Sequence, residues 1–197
     1  MSPRGRPRAF DRDAALDAAM YVFWERGYEG TSMADLTAAM GINSPSLYAA
    51  FGGKESLFHA AVERYGQRYG QEFPDRVTAR EAVAAWLGSS AKAFTDRSAH
   101  PPGCMIVLAG VNCTQQNRRV REFLAEKRRN NLEKLRARLA RGVLDGDIPE
   151  NVDLDRMVTF YGTVLHGLSI QALDGATERG LAEVIDVAMA SWKTFQV

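Results

Sequence analysis

Histidine and cysteine are scarce in this chain. Its 197 residues include three His and two Cys, Cys104 and Cys113. Three scattered imidazoles offer no usable metal-ligand spacing, and two thiols make no disulfide framework. Net charge is nearly absent as well. The 25 Lys+Arg and 24 Asp+Glu leave +1, which excludes a polycation that coats nucleic acid indiscriminately but allows a local basic patch. No apolar run approaches the roughly 18 residues of a membrane span. The opening MSPRGRPRAFD is charged and lacks an apolar stretch, so it does not read as a secretory signal. A P-loop, a dinucleotide fingerprint and a nucleophile–base pair are also missing, which argues against an enzyme. These absences predict a reducing, cytoplasmic setting with no membrane partner, no metal and no cofactor.

What charge there is lies unevenly. Arg118–Arg141 holds ten Lys/Arg against three Asp/Glu, whereas Gly142 to the end holds three against nine. Arg4, Arg6 and Arg8 stand in the first ten residues with no acid beside them. Separate faces for separate partners follow from such an asymmetry.

Helical periodicity runs through the chain and no alternating strand stands out, so the fold class is all-α with about nine helices. Asp11 caps a first helix whose Leu16, Ala19, Met20, Phe23 and Trp24 recur at helical spacing, and Gly27 stops it. Ser32 and Asp35 form a capping box for a short helix carrying Met33, Leu36 and Met40 to Gly41. Asn43 caps a third, with Pro45 in its first turn, Leu47 and Phe51 as anchors, and Gly52-Gly53 as its end. A fourth begins at Lys54 and buries Leu57, Phe58, Ala61, Val62 and Tyr65. Thr78 with Glu81 opens a fifth, lined by Val83, Trp86, Leu87, Ser90 and Phe94. A short apolar helix is expected from Gly103 to about Thr114, and a long charged one from about Gln116 to Arg141. Stripes from Leu154 to Leu168 and from Leu181 to Phe195 complete the set.

Three short helices on one core, with a glycine turn between the second and third, describe a helix-turn-helix. The third reads Asn43-Ser-Pro-Ser-Leu-Tyr-Ala-Ala-Phe51, with no charge over nine residues. Small uncharged side chains let a helix enter a groove about 12 Å wide and bring hydroxyls and methyl-contacting groups to base edges. Lys54 at a helix N-terminus suits a phosphate. Arg4-Gly-Arg-Pro7 reads either as an arm for a narrow minor groove or as a basic leader that adds only counterion release.

Four stretches carry a resemblance. Phe23-Trp-Glu-Arg-Gly-Tyr28, Thr31-Ser-Met-Ala-Asp-Leu36, Gly41-Ile-Asn-Ser-Pro-Ser-Leu-Tyr48 and Phe51-Gly-Gly-Lys-Glu-Ser-Leu-Phe58 make residues 10–58 resemble the N-terminal domain of the TetR family of bacterial transcriptional regulators. The resemblance implies a basic arm over 1–9, a DNA-binding domain over 10–53 and a ligand-binding and dimerisation domain over 54–197. It implies backbone contacts from Tyr48 and Lys54, and places Ser32, Asn43, Ser44, Pro45 and Ser46 near the groove. Ser44-Pro45 departs from the family's common Lys-Gly or Arg-Gly, and Ala49-Ala50 from its His-Tyr or Arg-Tyr, so the operator sequence cannot be borrowed from relatives.

The resemblance further implies a homodimer through the last two helices, where Gly162 and Gly167 permit close approach, and an unidentified small-molecule effector. Two heads related by a two-fold read half-sites about 34–36 Å apart in a pseudo-palindromic double-stranded DNA operator. Candidate pocket residues are Trp86, Phe94, Met105, Phe123, Phe160, Tyr161 and His166; as aromatics and apolar groups at helical spacing they read equally as core. Cys104 and Cys113 are either ordinary buried thiols or a redox trigger of the kind some members use. On one helix they stand about 13.5 Å apart in rise, too far for a bond, and Cys104 at a helix N-terminus has a lowered thiol pKa. The expected function is a ligand-responsive DNA-binding regulator, a repressor as most members are. The rival is an all-helical carrier or enzyme that has lost DNA binding, and an activator is the third reading.

Overall fold

The computed structural model describes residues 11–70, 72–73 and 78–195, which hold nine α-helices and no strand. The first four are α1 Arg12–Arg26, α2 Met33–Met40, α3 Ser44–Phe51 and α4 Lys54–Tyr69. Each of the first three begins on a side chain that accepts otherwise unpaired amides. Asp11 Oδ1 accepts from the amides of Asp13 and Ala14 at 3.1 and 3.0 Å. Ser32 and Asp35 close a reciprocal capping box, and Arg26 at the end of α1 donates to Asp35 at 2.8 Å. Asn43 Oδ1 accepts from the Ser46 amide at 2.9 Å. The turn from α2 to α3 passes through Gly41 at φ +65°, a left-handed conformation that glycine adopts without a Cβ penalty.

α4 crosses behind α1. Phe58 meets Phe23 edge-on with centroids 5.0 Å apart, and Tyr65 meets Trp24 edge-on at 4.7 Å. Asp17 accepts from Arg64 Nε at 2.7 Å and Arg68 at 3.0 Å. The Arg64 hydrogen bond and both guanidinium charges hold the Asp17 carboxyl below its ordinary range. Burying each of these rings contributes about 1.5–3 kcal/mol, so α4 closes the core of the first three helices.

The remaining helices are α5 Ala79–Thr95, α6 Met105–Leu108, α7 Arg118–Leu144, α8 Leu154–Leu173 and α9 Glu178–Ala190, followed by a 3-10 turn over Ser191–Phe195. α5 packs against α7, α8 and α9. Three local expectations are corrected. The apolar stretch from Gly103 to Thr114 is helical only at Met105–Leu108, because the Ala109 carbonyl accepts from the Tyr28 amide at 2.8 Å and the Thr114 amide donates to Glu29 at 2.7 Å. Those groups leave the helical ladder for partners on the α1–α2 turn. The long charged helix continues past Arg141 to Leu144, since Gly142 is buried where a Cβ would meet Ala79 at 2.7 Å. Gly162 serves packing within the chain: a Cβ there would sit 2.5 Å from Leu132 on α7, whereas one at Gly167 meets nothing within 4 Å.

Candidate nucleic-acid interface and ligand cavity

α3 presents one uncharged face to solvent. Leu47 and Phe51 point into the core, while Ser44, Pro45, Ser46 and Ala49 are exposed and Tyr48 is 56% exposed. Caps fix this helix at Asn43 and at Gly52, whose φ is +81°. A Cβ on Gly53 would meet the Tyr48 ring at an ordinary 3.5 Å, which places that ring against the start of α4. Lys54 stands at the α4 N-terminus, where amides and cation converge. Its ammonium lies 4.2 Å from the Tyr28 ring centroid, and burial lowers its pKa. Ser32, exposed at the start of α2, holds its capping bonds. Seven of the ten DNA-contact candidates, Ser32, Asn43, Ser44, Pro45, Ser46, Tyr48 and Lys54, therefore lie on α2, α3 and the start of α4. Arg4, Arg6 and Arg8 lie outside the described residues.

A cavity of about 120 Å³ opens under α4. Tyr65, Tyr69, Phe73, Trp86 and Phe94 give it aromatic walls, with Phe73 stacked on Trp86 at 4.7 Å between centroids. Ser90 of α5, Cys104, and Asn131 and Lys134 of α7 supply its polar atoms. Gly66 and Gly70 line it from α4, and a Cβ on Gly66 would meet nothing within 4 Å. The Tyr69 hydroxyl shares a 2.7 Å hydrogen bond with Tyr21 of α1. Burial and that bond push the Tyr69 phenol up to about 12. One cavity wall is thus bonded directly to the helix that carries the α2–α3 unit.

The pocket candidates separate. Trp86 and Phe94 line this cavity. Met105 is fully buried in the core. Phe123 stacks on His59, with centroids 4.1 Å apart. Tyr161 is fully buried and donates to the Ala188 carbonyl at 3.4 Å. Phe160 faces a different, open groove beside Phe195. His166 is half-buried on α8, and burial, with Arg128 nearby, lowers its pKa. Tyr65 and Ser90, read in the sequence only as inward-facing helix residues, and Tyr69, Asn131 and Lys134, not singled out there, also line the cavity. The glycine of Tyr65-Gly66 inside α4 was the available signal, because glycine within a helix costs about 1 kcal/mol relative to alanine and so points to a reason other than helix propensity.

The thiols require a correction. Cys104 precedes a helix of only four residues and is buried, and burial raises its pKa despite hydrogen bonds that favour the thiolate. It accepts a hydrogen bond from Tyr65 at 3.3 Å. Cys113 lies in the loop after α6, half-buried, with its pKa also raised by burial. The expected dipole activation of Cys104 is therefore outweighed by desolvation.

On the far side, α8 exposes Ile170 and Leu173, and α9 exposes Val184 and the 73% exposed Val187. Scattered apolar residues on a surface are ordinary; these four stand on two helices that pack together. Among the described residues no helix is long and apolar enough to cross a membrane.

Comparison with known proteins agrees with this layout. Residues 15–61 match the family described as "Bacterial regulatory proteins, tetR family", and residues 78–188 match "Tetracyclin repressor-like, C-terminal domain". The HTH-type transcriptional repressor ComR of Escherichia coli K12 is 34% identical over 194 residues, covering 96% of this chain and 92% of its own. A cysteine mutant of the TetR family transcriptional regulator CifR, solved in complex with 26bp double-strand operator DNA, is 44% identical with a TM-score of 0.91, covering 95% of this chain and 100% of that one. A TetR transcriptional regulator from Chloroflexus aurantiacus, 22% identical with a TM-score of 0.79 over 92% of this chain and 93% of that one, shares the fold.

Proposed function

The chain belongs to the TetR family of bacterial regulatory proteins, and from that premise we propose that it is a transcriptional repressor that grips a pseudo-palindromic operator as a homodimer and releases it on binding a small molecule. The observation that carries this reading is the exposed, uncharged surface from Ser44 to Ala49, placed beside the Lys54 helix start. Residues 10–53 read the groove, with Ser44, Pro45 and Ser46 at base edges, Tyr48 and Lys54 on phosphates, and the caps Ser32 and Asn43 alongside. Residues 54–197 pair the copies and hold the effector. Pairing uses the patch of Ile170, Leu173, Val184 and Val187, which a two-fold brings against itself.

Coupling runs through α4. Lys54 stands at its start, while Tyr65 and Tyr69 near its end line the cavity, so a change at the cavity wall moves the same rod that meets DNA. A ligand shifts the pair toward the released state by its affinity difference between the two states. Selection of genomic fragments by the full-length protein tests the reading. Inverted repeats with half-site centres about 34–36 Å apart should emerge, preceding genes that include its own or its neighbours'. A protein that binds small molecules yet enriches no fragment would be the carrier with lost DNA binding, and the repressor reading would fall.

A further inference from the structure

We propose that the cavity under α4 receives a single-ring aromatic carboxylate bearing a hydroxyl group, an inference that rests on the effector reading above only for its consequence at DNA. Size comes first. An apolar cavity of about 150 Å³ holds a benzene ring; this one, about 120 Å³, is of the same order and sets a single ring as the upper limit for the enclosed part of a ligand. A long acyl chain or a fused-ring drug exceeds it. The walls come second: Tyr65, Tyr69, Phe73, Trp86 and Phe94 offer ring faces and edges, against which another ring packs favourably.

Charge selects the head group. Among the described residues no Asp or Glu lines the cavity, and Lys134 is the one formally charged residue that does. Lys134 ion-pairs with no described residue, whereas its helix neighbours Lys127 and Arg136 pair with Glu63 and Asp155. Burial raises the Tyr65 and Tyr69 phenols and the Cys104 thiol, so these groups add no negative charge at neutral pH. A carboxylate therefore meets an ammonium and the Asn131 amide. An organic cation, which the aromatic walls alone would attract, meets Lys134 as a like charge.

Ser90 supplies the last requirement. Three polar residues are buried among the described ones, Thr31, Ser90 and Ser169. Thr31 donates to the Gly27 carbonyl at 2.7 Å, and Ser169 accepts from the Cys104 amide at 2.8 Å. Ser90 is 1% exposed, lines the cavity and hydrogen-bonds to no described residue. Buried hydroxyls are ordinarily satisfied, and a ligand hydroxyl in the cavity is the partner this one is placed to meet.

Isothermal titration calorimetry on the full-length protein tests the assignment with the three monohydroxybenzoates, benzoate, benzamide and trimethylanilinium. At least one hydroxybenzoate should bind more tightly than benzoate, benzoate more tightly than benzamide, and the cation should not bind. Lys134→Met should weaken the carboxylates about tenfold or more and leave benzamide unchanged. Ser90→Ala should erase the preference for hydroxybenzoate over benzoate while leaving benzoate binding intact. Equal binding of benzamide and benzoate, an unchanged Lys134→Met titration, or no binding of any probe at millimolar concentration overturns the proposal. A DNA-release assay separates the two levels. Hydroxybenzoate binding that never dislodges DNA sinks the effector reading and leaves this assignment standing. Release by another compound, with no hydroxybenzoate bound, does the reverse.

Discussion

From Asp11 to Phe51 three consecutive helices each start on a side chain that accepts amide hydrogens, and α5, α8 and α9 do the same, whereas α4, α6 and α7 start with no such cap. The core that α1 and the start of α4 share is filled by interlocked rings such as Phe23, Tyr28 and Phe58, while the space between the end of α4, α5 and α7 keeps a cavity. The contrast separates two tasks. A surface that must match a groove is backed by a solid core. A region that must receive a guest keeps space and obtains its shape from contacts distant in sequence.

Core truncation probes the contrast most strongly. Phe58→Ala, which removes a fully buried ring between α1 and α4, should cost about 3–5 kcal/mol in urea unfolding. Phe73→Ala, from a half-buried ring on the cavity, should cost about 1 kcal/mol. Similar losses at both would dissolve the distinction between solid and hollow. Next comes Tyr48→Ala. Its ring is mostly exposed, so stability should stay within about 0.5 kcal/mol while affinity for a selected operator drops about tenfold, near 1.4 kcal/mol, by fluorescence anisotropy. Asn43→Ala should cost about 1 kcal/mol of stability through the lost cap, and unchanged thermal unfolding would show that α3 holds without it.

The smallest effect is a pH dependence. Asp17 binds Arg64 and Arg68 across α1 and α4, and its folded pKa lies below the usual 3.8. The pair's stabilisation is therefore complete above that value and fades as pH falls through the lower folded pKa. Asp17→Asn should lower stability at pH 7 and flatten its decline in acid. An identical acid slope in the variant would remove the pair from the account.

The same division governs what the sequence reveals. Ser32-Met-Ala-Asp35, Asn43 with Pro45, and Gly52-Gly53 are local signals, so the helix-turn-helix is legible without tertiary knowledge. The cavity is not. Trp86 and Phe94 gain their role from meeting Tyr65 and Tyr69 of another helix, whereas Met105 and Tyr161, equally apolar and equally periodic, end in the core. Helical periodicity reports that a residue faces inward, not whether it meets a neighbour or a void. The stretch after Gly103 failed for a related reason, since its backbone groups are claimed by Tyr28 and Glu29, more than seventy residues earlier.

Gly66 is bordered by empty space where a side chain would begin, and it lines the chamber three residues before the Tyr69 link to the reading head. Alanine, serine or valine there would trim the chamber in steps while the operator face stays as it is. Selection, or a biosensor engineer, thereby has a dial that retunes what the molecule senses independently of what it silences.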